Sequence, residues 1–173
     1  MEKMRKYRFD WDLIGDIQSG RPNLGNSTRI ESYRLMQFCF RDVIEKRVGP
    51  EETDRIFWEA GLLAGKEFFN NMIKSAGDFN DFVSKVQHAL LSLKIGVLRI
   101  EKAAMDTMSM VITVSEDLDC SGLPDIGTQV CNYDEGFIAG LLEAYTGKQW
   151  CVREIDCWCN GDRTCRFSVE LKT

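Results

Sequence analysis

Six of the seven cysteines in this chain lie between Cys120 and Cys165, in the last third of 173 residues. A chain of this length buries roughly 70% of the surface it exposes when unfolded, so it can build an ordinary hydrophobic core without covalent staples. With 44% apolar residues, including 10 Phe and 4 Trp, the material for that core is present. The thiols therefore need a different explanation. Their number is odd and their density is far below that of a small disulfide-rich secreted scaffold. No stretch approaches the roughly 18 to 20 apolar residues of a membrane span, and the N-terminus lacks the apolar core of a signal peptide. The chain reads as cytoplasmic, where clustered thiols serve as metal ligands or redox groups more often than as disulfides.

Charge narrows the partners. Lys and Arg total 22 against 27 Asp and Glu, a net of -5, with no basic stripe interleaved with aromatics. That balance argues against nucleic acid as a partner. The basic run Lys3, Arg5, Lys6 and Arg8 reads as a solvated tail.

Residues 1–26 read as an N-terminal strand or arm, and 27–173 as a single domain. Ser27 or Thr28 offers an N-cap for a helix to about Arg47, with Tyr33, Met36, Phe40, Val43 and Ile44 at helical spacing. Gly49-Pro50 ends it, and Glu51, Glu52 and Asp54 favour the start of a second helix to about Ser75. That helix is apolar around much of its circumference, so it is expected to be buried on more than one side. Gly61 and Gly65 would let another backbone or a ligand approach closely, close packing being the plainer reading. A third helix from Asp78 or Asn80 to Leu93 precedes two alternating runs, Ile95 to Ala104 and Met108 to Ser115, joined near Asp106 as an antiparallel hairpin. A fourth helix, from about Asp125 to Tyr145 with Gly147 as its C-cap, leads to two last strands, about Gln149 to Cys159 and Thr164 to Leu171. The order implies an α+β fold, an antiparallel sheet of about four to five strands with helices packed on it.

The last hairpin carries the chemistry. A three-residue Asn160-Gly161-Asp162 loop would set Cys157 opposite Cys165, close enough to share a metal or to form a disulfide. Tetrahedral zinc needs two more ligands, and His88 is the single His, which excludes a His-rich site. Cys131, Glu154, Cys151, Cys159 and Cys120 all remain as donors, and spacing does not choose among them. Strict alternation puts Cys151, Cys157 and Cys159 on one face and Glu154 on the other, so Glu154 requires a bulge. Cys157-Trp158-Cys159 is not a Cys-x-x-Cys redox motif.

Over about Gly127 to Leu171, the residues Cys131, Gly136, Gly140, Gly147, Glu154, Cys157, Gly161-Asp162 and Cys165-Arg166-Phe167 resemble the 4-vinyl-reductase domain family. That family belongs to a superfamily of ligand-binding domains that includes haem nitric-oxide-binding proteins and a vesicle-tethering subunit. In the similar sensor domain of phenol-sensing transcription activators, zinc is held by a Cys, a Glu, a Cys three residues on and a Cys eight residues beyond. The resemblance implies zinc on Cys131, Glu154, Cys157 and Cys165, a closed structural site tying a helix to the C-terminal hairpin. The roles of Cys120, Cys151 and Cys159 stay open.

The family name implies reduction of a vinyl group on a tetrapyrrole-like compound. Against catalysis, the chain has no glycine-rich strand-to-helix turn for a nicotinamide or flavin phosphate, and no His-centred acid–base pair. The superfamily implies instead a stand-alone domain that binds a small hydrophobic or aromatic molecule between helices and sheet, as sensor or carrier. Trp58, Phe68, Phe69, Phe82, Val86, Met108 and Met110 are the expected lining, although each also reads as ordinary core. No ATPase or DNA-binding module accompanies the domain, so a signal is expected to pass through a separate partner or a homodimer. An accessory enzyme on a tetrapyrrole and a dimeric assembly module are the alternatives.

Overall fold

The computed structural model describes residues 5–104 and 108–172. Before the first long helix the chain makes a 3-10 turn, Trp11–Ile14, and a short helix α1, Ile17–Gly20, each capped by an Asp side chain, Asp10 and Asp16. The described part of the expected N-terminal strand or arm thus contains helical turns and no strand.

Helix α2 spans Ile30–Val48. Neither Ser27 nor Thr28 caps it. Arg29 takes the cap position and its guanidinium turns to the Glu31 carboxylate. Gly49, at φ 85°, breaks the helix in a left-handed conformation that glycine tolerates. Helix α3, Pro50–Phe68, begins with Pro where the missing N–H costs nothing and with Glu51 and Glu52 at its positive end. A π turn, Phe69–Ile73, completes the second helix expected from the sequence. Helix α4, Phe79–Ser92, is capped by Asp78, which accepts from the Asp81 N–H.

Strands β1 (Val97–Ala104) and β2 (Ser109–Ser115) form the first hairpin. Their junction near Asp106 falls outside the described residues. Helix α5 runs Asn132–Thr146 and ends at Gly147 in the left-handed conformation. It starts later than the periodicity implies because Gly127 adopts φ 68° and the N–H groups of Ile126 and Gly127 both donate to the Cys159 carbonyl. Residues 125–131 are thereby spent as a strap across the end of the last hairpin, whose strands are β3 (Trp150–Asp156) and β4 (Cys165–Leu171).

All four strands are antiparallel in the order β1-β2-β4-β3, so β4 joins the two hairpins. Alternation sorts the faces: Leu98, Ile112, Val152, Phe167 and Val169 point into the core, whereas Arg99, Arg153 and Glu170 are wet. Helices α3 and α5 cross through paired glycines. A Cβ on Gly61 would stand 2.0 Å from the Tyr133 carbonyl oxygen, and one on Gly136 would stand 2.0 Å from that of Trp58. Close packing against a helix, not a ligand, is what Gly61 and Gly65 serve. No helix among the described residues is long and apolar enough to cross a membrane.

Candidate metal centre and neighbouring cavities

The structure collects thiols from four separate stretches of chain. Cys120 comes from the loop after β2, Cys131 from the N-cap of α5, Cys157 from the end of β3 and Cys165 from the first position of β4. All four are buried, and their sulfurs lie within 4.8 Å of one another. Cys131 Sγ is 3.8 Å from both Cys157 Sγ and Cys165 Sγ, and Cys120 Sγ is 3.0 Å from Cys165 Sγ. Tetrahedral zinc with bonds of about 2.3 Å separates its sulfurs by about 3.8 Å, so two of these distances already suit a metal. None of the cysteines forms a disulfide.

The hairpin differs from the three-residue loop expected of the sequence. Residues Trp158–Asn160 form a 3-10 turn, Gly161 adopts φ 90°, and the Cys157 N–H donates to Asp162 Oδ2. A bulge falls between Glu154 and Asp156, where β3 slips against β4. The extra residue lets both Glu154 and Cys157 point inward although they are three apart. Cys151 is exposed and lies away from the cluster, whereas Cys159 is buried beside it.

Glu154 is buried next to Cys131 and Cys157, and neither of its carboxyl oxygens has a hydrogen-bond partner. Burial, together with the neighbouring Cys157 and Cys165, pushes its pKa up to about 10. Hydrogen bonding from Cys120, Cys131 and Cys165 concentrates negative charge on Cys157, whose pKa falls far below the ordinary thiol value. Such a cluster can hold a metal. Of the residues named from the sequence, the structure brings Cys131, Cys157 and Cys165 together, sets Glu154 alongside, and adds Cys120, whose role the sequence left open.

Residues 110–171 match the model of the vinyl-4-reductase (V-4-R) domain. The matched segment comprises β2 to β4 and carries all four of the clustered thiols. An uncharacterized protein of Methanocaldococcus jannaschii is 27% identical over 148 residues, which cover 86% of this chain and 81% of its own. The phenol-responsive sensory domain of the transcription activator PoxR, solved with phenol, has the same fold with a TM-score of 0.62 at 15% identity, over 83% of this chain and 75% of that one. A vinyl-4-reductase family protein from Methanocaldococcus jannaschii gives 0.59 at 14% identity, over 86% and 85%. A trafficking protein particle complex subunit 3 from Naegleria fowleri, covalently bound to palmitic acid, gives 0.66 at 15% identity, over 83% and 95%.

The residues expected to line a ligand pocket in this fold divide among separate places. Phe82, Val86 and Met110 surround a gap of about 30 Å³ between α4, α5 and the sheet. That space is the size of one water. Phe82 stacks on Tyr145 with ring centroids 4.3 Å apart, and Phe69 packs beside both rings. Met108 and Met110 border a second space of about 160 Å³ toward Trp150. Trp58 packs on the core at the α3–α5 crossing. Phe68 alone faces a third and larger cavity, of about 490 Å³.

This cavity lies between α3, α5, Tyr33 of α2 and the N-terminal turn, with Trp11, Leu63, Phe68 and Phe137 among its apolar walls. Its polar end holds Asp119 and Asp134. Tyr33 Oη and Gln37 Nε2 donate to Asp119 at 2.8 and 2.7 Å, while Asp134 Oδ2 is buried without a partner. Sequence reasoning missed this cavity because its walls come from distant parts of the chain.

Proposed function

We propose that this chain is a zinc-containing domain that binds a small hydrophobic or aromatic molecule, as a sensor or carrier rather than a catalyst. The apolar cavity of about 490 Å³ carries the reading, since it has the size and the few convergent polar groups of a small-molecule site. PoxR's sensory domain with phenol and the palmitate-bound trafficking subunit supply the precedent in this fold. In this reading zinc sits on Cys131, Cys157 and Cys165, with Cys120 as the fourth ligand, because the four sulfurs stand within mutual reach. Glu154, kept protonated by burial, then serves as a hydrogen-bond donor to a thiolate sulfur, the outer support such a centre needs. With four protein ligands no position is open to water or substrate, so the metal braces the fold.

Native mass spectrometry with metal analysis tests both halves. One zinc per chain, and saturable thermal stabilisation by compounds such as phenol or indole, are expected. Metal-free protein with a disulfide in the cluster would overturn the zinc assignment.

The exposed stripe Met36, Phe40 and Val43 on α2 supports a homodimer as the working form. Sedimentation of the purified chain at micromolar concentration measures it directly, and a monomer there contradicts it.

A further inference from the structure

The 490 Å³ cavity combines two features that hydrophobic binding does not require. Aromatic side chains enclose it from several directions: Phe9 and Trp11 from the N-terminal turn, Tyr33 from α2, Phe68 from α3, and Tyr133 and Phe137 from α5. Ring faces carry negative potential and attract cations held within about 6 Å. The charged groups among its walls, Glu67, Asp119 and Asp134, are all acidic, with no Lys, Arg or His among the lining residues.

The polar end is unevenly satisfied. Asp119 has Tyr33 and Gln37 as donors. Arg34, on the same helix, spends its guanidinium on the backbone carbonyls of Asp117, Leu118 and Ser121. Asp134 Oδ2 is buried, faces this space and has no donor. A buried acceptor left without a donor carries a desolvation cost that a ligand can remove. An acidic end, an aromatic enclosure and a missing donor are together the complement of an organic ammonium ion.

Resting on the small-molecule reading above, we propose that the cavity selects an aryl- or alkyl-ammonium ligand, its cation against Asp134 and its apolar body among Trp11, Phe68, Tyr133 and Phe137. This differs from the sequence expectation both in place, since Phe82, Val86 and Met110 lie elsewhere, and in chemistry, since a neutral phenol carries no charge.

The test uses three molecules of similar shape, 2-phenylethylamine, 2-phenylethanol and 3-phenylpropionate, titrated calorimetrically into metal-replete protein. The amine is expected to bind about tenfold or more tighter than the alcohol, and the acid not at all. Asp134→Asn should abolish the preference for the amine while leaving the alcohol's affinity unchanged. Tyr133→Leu, which keeps the carboxylate, should weaken the amine more than the alcohol. Equal affinity of amine and alcohol for the native protein overturns the ammonium assignment and leaves the small-molecule reading standing. Binding of none of the three, or an amine preference that survives in Asp134→Asn protein of native fold and metal content, also overturns it.

Discussion

Between Trp11 and Val48 the helical elements bury no residue, whereas α3, α4, α5 and every strand after Gly49 contribute to the core. The two regions are held by different forces. The later one is closed by apolar burial, glycine-mediated helix contact and the thiol cluster. The earlier one is attached by polar contacts, Tyr33 and Gln37 on Asp119, Arg34 on loop carbonyls, and Arg41 on Asp54 and Asn132. A rigid body thus wears a lightly fastened cover, and the large cavity lies between them. A ligand site placed there can open without unfolding the core, since locally weak elements open at free energies well below the global one.

If zinc occupies the cluster, the largest effects belong to the rigid body. Cys157→Ser is expected to lose the metal and lower the melting temperature by about 10 °C or more, since structural metal binding is folding free energy. Cys120→Ser should do nearly the same, while Glu154→Gln keeps the metal. The opposite pattern would make Glu154 the fourth ligand and Cys120 a bystander. Metal analysis and differential scanning calorimetry on the three variants decide between these outcomes.

Phe167→Ala comes next. Phe167 is fully buried in β4, the strand shared by both hairpins, and its loss should cost about 3 to 5 kcal/mol in chemical denaturation. Gly136→Ala follows at about 3 kcal/mol, because the added Cβ meets the backbone of Trp58, which cannot rotate away. If it costs less than about 1 kcal/mol, the α3–α5 pair is adaptable and the contrast with the cover is weaker than described.

The same division explains what the sequence disclosed. The hairpins, α4 with its Asp78 cap, and the Gly147 stop were legible because alternation, a capping side chain and a left-handed glycine are local signals. The start of α5 was not, because Ile126 and Val130 continue a helical spacing that Gly127 interrupts. The β3 bulge follows from fitting two inward donors three residues apart, which alternation cannot express. Cys120 joins the cluster through the path of a loop, a tertiary fact, and the cavity unites Trp11, Tyr33, Phe68 and Asp134 across most of the chain.

The smallest expected effect probes the cover itself. Tyr33→Phe removes the hydroxyl that donates to Asp119 Oδ1 at 2.8 Å and leaves Gln37 as that carboxyl's side-chain donor. A single such hydrogen bond contributes about 1 kcal/mol, so amides of α2 that exchange by local opening should exchange about fivefold faster. Amides of β4, which open only with the whole domain, should change by much less, and the melting temperature should stay within about 2 °C. If α2 and β4 instead accelerate together, the two regions unfold as one unit, and the cavity between them can open only when the core does.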